Sequence, residues 1–300
     1  MIADSPDVLE LLRRAESYLN KRGVPNARRN AEWMMSYTLG CRSQELYIDP
    51  HRLLDYSQSE KFDRLVERRG AREPLQYILE STEFMSLPFR TLPGVFIPRP
   101  DTELLVERVE ASLPPVVLSK KGSPLADEDS LAILDLCCGT GVIVVSLVRR
   151  NPGVNGVAVD IDPTAADLTK ANANLNGVGG RIRCVESEAR EFLKNNSRLY
   201  DAIVCNPPYV RTGDIPRLPP EIRAHEPAMS LDGGPDGLDF YRKIIPLMIG
   251  AVRSRGIVAF EIGEAQGGPV AEMLRAASLI DVEIHKDYNG LDRVITGRKA

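Results

Sequence analysis

From Leu131 onward, short apolar runs alternate with amphipathic stretches, and few folds accept that rhythm. Leu131–Leu136, Val157–Ile161, Ile182–Val185, Ala202–Cys205 and Ile257–Ile262 read as buried strands. Helices fit the intervals 142–150, 163–175, 238–253 and 266–278. Val282–His285 and Arg293–Thr296 can close a hairpin around Asn289-Gly290. Strands separated by helix-length segments imply an α/β domain with a mostly parallel sheet.

The first eighty residues have a helical period instead. Ser5-Pro6 offers an N-cap and a proline at the first helical position. Val8, Leu9, Leu11, Leu12, Ala15 and Leu19 make one apolar face, which Gly23 ends. Asn26 can cap a second helix that carries Ala31, Trp33, Met34 and Tyr37 and stops near Gly40. Trp33, Met34 and Met35 read as core. A third helix fits Ser57 to Arg69, before Gly70. Residues 81–98 interleave Phe84, Leu87, Phe89, Val95 and Ile97 with Pro88, Pro93 and Gly94, as a short hairpin between domains does. Asp101 or Thr102 then starts a helix, and residues 114–130 read as an exposed linker. The expected division is a helical domain at 1–80, a hairpin linker at 81–100 and an α/β domain at 101–300.

With 300 residues, 43% of them hydrophobic and 27% charged, the chain suits a soluble two-domain protein. No apolar run approaches membrane-spanning length, and the acidic start Met1–Asp7 lacks the pattern of a signal peptide. A cytoplasmic monomer with no membrane contact is the expectation. A net charge of -4 argues against sequence-independent binding to nucleic acid. Five cysteines without paired ligand spacing and three scattered histidines argue against a metal site. Cys184 and Cys205 read as small core residues.

Two turns carry the chemistry. Asp135-Leu136-Cys137-Cys138-Gly139-Thr140-Gly141 joins a strand to a helix. Gly139 and Gly141 permit a tight turn close to a ligand, and the helix start supplies free N–H groups. Asp160, ending the next strand, can accept both hydroxyls of a ribose. Position 144 is valine, so this is not the dinucleotide pattern G-x-G-x-x-G. Asn206-Pro207-Pro208-Tyr209 is the second turn. Two prolines cannot extend the strand Ala202–Cys205, so the chain leaves the sheet at Asn206. An amide, a rigid elbow and an aromatic ring then stand where open α/β sheets place ligands. The Asn206 oxygen and the Pro207 carbonyl can each accept one N–H of a planar nitrogen. Tyr209 can stack on its plane.

The glycine turn resembles the cofactor loop of S-adenosylmethionine-dependent methyltransferases with a Rossmann-like fold, Cys137 standing where D-L-G-x-G-x-G has its first glycine. Asn206–Tyr209 resembles the motif of methyltransferases acting on glutamine amides or on base amines. Arg72–Ile78, Phe96–Glu103, Glu226-Pro227, Gly233–Tyr241 and Asp287–Arg293 extend the likeness over nearly the whole chain. The chain thus resembles the release factor glutamine N5-methyltransferases (PrmC/HemK-like). The resemblance implies a helical substrate-recognition domain, a hairpin linker and a seven-stranded methyltransferase domain. It implies transfer of a methyl from S-adenosylmethionine to the glutamine of the Gly-Gly-Gln motif in class-1 peptide-chain release factors, in translation termination. S-adenosylhomocysteine would be the product. On that reading Asn206, Pro207 and Tyr209 are catalytic, and Pro208 completes the glutamine site. Asp135, Cys137, Cys138, Gly139, Thr140, Gly141 and Asp160 face the cofactor. Glu188 and Ala189 stand where relatives carry an aromatic near the adenine, and Phe96–Glu103 borders the cofactor's methionine part. Arg99 and Glu103 fit ligand contacts and linker ion pairs equally well. Three rivals remain open: a sibling enzyme acting on a ribosomal protein, a nucleic-acid amino methyltransferase, and a binding module without catalysis.

Overall fold

A computed structural model describes residues 6–114 and 130–300. Ser5 and all but the two ends of the expected 114–130 linker lie outside the described residues. The chain divides into two compact units. One is Met1–Glu80 together with Pro219–His225, and the other is Ser81–Leu218 together with Glu226–Ala300.

The first unit is built from α1 (Val8–Lys21), α2 (Ala27–Leu39), a 3-10 turn (Ser43–Tyr47), α3 (Tyr56–Gly70) and α4 (Leu75–Leu79). Leu11, Leu12, Leu19, Met34, Met35 and Phe62 form its core. The first helix begins at Val8, after the expected Pro6, and Asp7 caps it: its carboxylate accepts from Glu10 N at 2.7 Å. Asn26 does stand at the start of α2, but in left-handed backbone and without a capping side-chain bond. Trp33 is a correction: it is 41% exposed beside Arg29, while Met34 and Met35 are buried as expected.

A short helix of this unit, Pro220–His225, arrives from far along the chain. Its Glu221 accepts from Arg69 Nη2 at 2.9 Å and from Arg72 Nε and Nη2 at 2.8 and 2.7 Å. Arg69 also donates to Asn30 Oδ1 at 2.8 Å and to Glu73 O at 3.2 Å, so each nitrogen of the buried guanidinium has a partner.

The second unit opens with a hairpin of β1 (Ser81–Phe84) and β2 (Leu87–Arg90), followed by α5 (Thr102–Ser112). Then come β3 (Leu131–Leu136), α6 (Val142–Arg150), β4 (Val154–Asp160), α7 (Pro163–Leu175) and β5 (Ile182–Glu186). The chain continues through α8 (Ala189–Asn195), β6 (Tyr200–Cys205), α10 (Asp239–Ala251; α9 is the helix Pro220–His225) and β7 (Val252–Glu261). It ends with α11 (Gly267–Ala276), β8 (Leu279–Lys286) and β9 (Asp292–Lys299).

The seven strands lie in the order β5-β4-β3-β6-β7-β9-β8. The first five run parallel, and β9 pairs antiparallel with both β7 and β8. Because side chains alternate along a strand, each buried strand feeds two cores. Leu134, Leu136, Ile203, Cys205, Val258 and Phe260 face α10 and α11. Ile133, Ala158, Ala202, Val204 and Ala259 face α5 and α6. Cys205 is core as expected, whereas Cys184 is only half-buried. The order reverses between β3 and β6, the place where open α/β sheets form a crevice at the strands' carboxyl ends. Among the described residues, no helix is long and apolar enough to cross a membrane.

Candidate active site

Both sequence turns open on that crevice. Leu136 of β3 pairs with Cys205 of β6, so the glycine turn and Asn206 leave neighbouring strands side by side. Asp160 ends β4 on one flank, and Glu261 ends β7 on the other.

The glycine turn is held by backbone and by α7. Cys138 N donates to Val159 O at 3.1 Å, and Gly141 N donates to Cys138 O at 2.7 Å. Thr169 Oγ1 donates to Gly139 O, and Asn172 Nδ2 donates to Thr140 O at 2.9 Å. Gly141 has a φ of 78°, and a Cβ there would stand 2.7 Å from the Thr169 methyl, so only glycine fits. Cys138 and Thr140 are buried in this framework.

Cys137 adopts a φ of 59°, the left-handed region. The position that the resemblance expects to be glycine therefore requires glycine's conformation, and a cysteine takes it. A Cβ residue there costs about 1–2 kcal/mol. The thiol is half-buried on the α10 side of the sheet. Alanine at 137 keeps the strain and loses the thiol, whereas glycine loses both. We expect Cys137→Gly to be more stable than Cys137→Ala by about 1 kcal/mol in chemical denaturation. Equal stabilities would show that the turn bears no strain.

Asp160 anchors the turn from the neighbouring strand. Its Oδ2 accepts from Gly139 N at 2.8 Å and its Oδ1 from Asp162 N at 3.1 Å. Burial pushes the carboxyl up, while those two amides favour the charged form. Asp135 is fully buried and accepts from Val144 N at 3.1 Å, which ties β3 to the first turn of α6. Burial pushes its carboxyl up to about 8 against that hydrogen bond. Glu188 is the N-cap of α8 and accepts from Glu191 N, and Ala189 is buried. Neither presents an aromatic face.

The second turn is braced on both sides. Pro207 is buried, and Asn206, Pro208 and Tyr209 are half-buried. The Tyr209 hydroxyl donates to Glu261 Oε1 at 3.0 Å, and Asn206 Nδ2 donates to Thr102 Oγ1 at 3.3 Å. Burial beside the Glu261 carboxylate keeps the Tyr209 phenol protonated at any working pH. Gln266, at the start of α11, donates to Tyr209 O and Gly237 O and accepts from Gly263 N. Gly237, at φ 78°, lets the chain approach so closely that a Cβ would stand 2.4 Å from Tyr209 O. This explains Gly233 and Gly237, which let their segment lie against the backbone of Tyr209.

Arg99 and Glu103 both make contacts within the protein. Arg99 pairs with the buried carboxylate of Glu226 and lies over the Phe96 ring. Glu103 accepts from Met85 N at 2.6 Å in the hairpin. From the same segment it is Thr102 that reaches Asn206. Sequence reasoning missed Glu261 and Gln266. An acid closing the apolar run of β7 was the available signal for Glu261.

The descriptions of two domain families match this chain. The PrmC N-terminal domain matches residues 10–79, and the methyltransferase small domain matches residues 87–217. The T. thermophilus 16S rRNA methyltransferase RsmC, solved with AdoMet and guanosine, shares the fold at a TM-score of 0.50 and 18% identity, over 73% of this chain and 50% of that one. The sheet and the matched domain thus define a methyltransferase. Release factor glutamine methyltransferase of Geobacter sulfurreducens is 38% identical, over 94% of this chain and 93% of that protein. The enzyme of the same name from Moorella thermoacetica is 35% identical, over 90% and 91%. The chain belongs to the release factor glutamine methyltransferase family.

Proposed function

We propose that this protein transfers a methyl group from S-adenosylmethionine to the side-chain amide nitrogen of the glutamine in the Gly-Gly-Gln motif of class-1 peptide-chain release factors. One observation carries the reading: Asn206 and Tyr209 are braced on the strand next to the glycine turn.

The turn's residues suit the cofactor. A Cβ on Gly139 would meet nothing within 4 Å, so its backbone borders open space. Each Asp160 oxygen takes one backbone N–H and keeps a lone pair for a ribose hydroxyl. Asp135 Oδ1 is buried beneath the turn without a hydrogen-bond partner among the described residues. When bound, S-adenosylmethionine supplies an electrophilic methyl on a sulfonium sulfur, which keeps the electron pair of the broken bond.

An amide nitrogen is a poor nucleophile because its lone pair is delocalised. Asn206 Oδ1 and Pro207 O would each accept one of its hydrogens and fix its orientation. As positive charge develops on the nitrogen, the same two oxygens stabilise it. Tyr209, held by its hydroxyl, would flank the amide plane. No general base has to act before transfer; the methylated nitrogen then releases one of its two protons to water, which leaves the neutral N-methyl amide. The helical unit, which carries the PrmC N-terminal match, is proposed to recognise the release factor.

Mass spectrometry of a release factor co-expressed with this protein tests the reading. One added methyl on the Gly-Gly-Gln glutamine is expected, and an unmodified glutamine would refute it. Asp160→Ala removes the acceptors proposed for the ribose and the brace on Gly139. We expect it to weaken cofactor binding about 10²- to 10⁴-fold by calorimetry, the cost of two hydrogen bonds to a charged group. Unchanged affinity would remove Asp160 from the cofactor site.

A further inference from the structure

Glu261 is a carboxylate at 1% exposure, at the end of β7, and no motif in the chain points to it. Its Oε2 accepts from the Thr102 hydroxyl at 2.6 Å and its Oε1 from the Tyr209 hydroxyl at 3.0 Å. Tyr241 donates to its backbone carbonyl at 2.7 Å, which fixes the end of the strand. Burial pushes its carboxyl up, while the two hydroxyl hydrogen bonds and the nearby Arg293 favour the charged form.

With the Thr102 and Tyr209 hydroxyls each donating to one of its oxygens, the carboxyl group acts as acceptor on both sides. Thr102 must therefore spend its single hydroxyl proton on Glu261, and toward Asn206 its oxygen can only accept. The end of the Asn206 side chain facing Thr102 must then be the donor, Nδ2, as observed. The opposite end, Oδ1, is left for the acceptor substrate.

We propose that Glu261 and Thr102 are positioning residues that set the hydrogen-bond polarity of Asn206, so that its carbonyl oxygen faces the substrate. The proposal rests on the function given above and adds a basis for selectivity. With Oδ1 and Pro207 O both presented as acceptors, the site requires two hydrogens on the group it receives. Glutamine has them. Glutamate, the same shape, brings only lone pairs and is repelled. The same side chain holds Tyr209, so one buried carboxyl group fixes both the amide and the ring of the Asn206–Tyr209 turn.

Three variants separate this from simple packing. Thr102→Val keeps the shape and removes the relay, so Asn206 is free to turn. We expect kcat to fall about 10- to 100-fold, as misorientation at a reacting centre costs. The KM for the release factor should hold, because other contacts dominate it. Thr102→Ser restores the hydroxyl and should restore kcat. Glu261→Gln brings a donor where only acceptors serve, so one of its two hydroxyl partners must reverse, and kcat should fall again. A second readout needs no turnover. The Asn206 side-chain NH2 signals, assigned by their loss in Asn206→Ala, should be protected from hydrogen exchange in the parent. In Thr102→Val they should exchange faster. A Thr102→Val protein with parental kcat and parental exchange would overturn the relay. If the parent methylates no release factor, the functional reading fails, and the exchange measurement still decides the relay.

Discussion

Asn206→Ala should abolish most methyl transfer while leaving the cofactor bound. The expected loss is about 10²–10³-fold in the single-turnover rate, the usual cost of deleting one preorganised group aimed at developing charge. The side chain contributes little to the fold. It is half-buried, and its amide makes one hydrogen bond, to Thr102 at 3.3 Å. The glycine turn is held by hydrogen bonds with Asp160, Thr169 and Asn172 and not by the Asn206 side chain, which bonds to Thr102, so calorimetry with S-adenosylmethionine should give the parental affinity. Alanine also leaves the Thr102 hydroxyl and Glu261 paired, so the variant removes the acceptor and little else. Turnover equal to the parent would refute the role. A loss of cofactor affinity as large as the loss of rate would show instead that the crevice had collapsed.

What the sequence made legible was whatever a local pattern encodes. The ends of β3, α6 and α7 fall on the expected residues, because an apolar run or a helical period stops there at a glycine turn, an asparagine or a capping aspartate. The same logic located the glycine turn and Asn206–Tyr209. Helix α8 was missed because Ala189–Asn195 places its large apolar residues, Phe192 and Leu193, side by side and shows no period. Trp33 follows the helical spacing yet faces solvent, since aromatic spacing does not report which face is covered. The conformation of Cys137 was invisible because its side chain argues against the backbone it adopts. The function of Glu261 depends on partners 159 and 52 residues away, a coincidence that only the folded sheet creates. The same distance hid Glu221, whose helix belongs to the unit that the chain had left at Glu80.

Glu221 is where the largest effect on stability is expected. Its carboxylate is 13% exposed and faces Arg69 at 6% and Arg72 at 25%. Burial alone would push its carboxyl up. The hydrogen bonds from Arg72 and Arg69 prevail and hold it down, at about 2 against an ordinary value of 4.5. Glu221→Gln keeps the shape and removes the charge, leaving two guanidiniums partly buried without a counter-ion. That drop of the carboxyl corresponds to a loss of about 3 kcal/mol near neutral pH, at 1.36 kcal/mol per pKa unit. Breaking a buried pair from one side gives a similar cost, about 3–5 kcal/mol. The pH dependence follows in sign. A carboxyl held low in the folded state stabilises fully above its unfolded value and loses that contribution as pH falls from about 4.5 toward 2. The gap between parent and Glu221→Gln in urea unfolding should therefore be widest near pH 7 and close across that acid window. A gap that stayed constant with pH would mean that packing of Pro220–His225, and not the charge of Glu221, holds this segment in the helical unit.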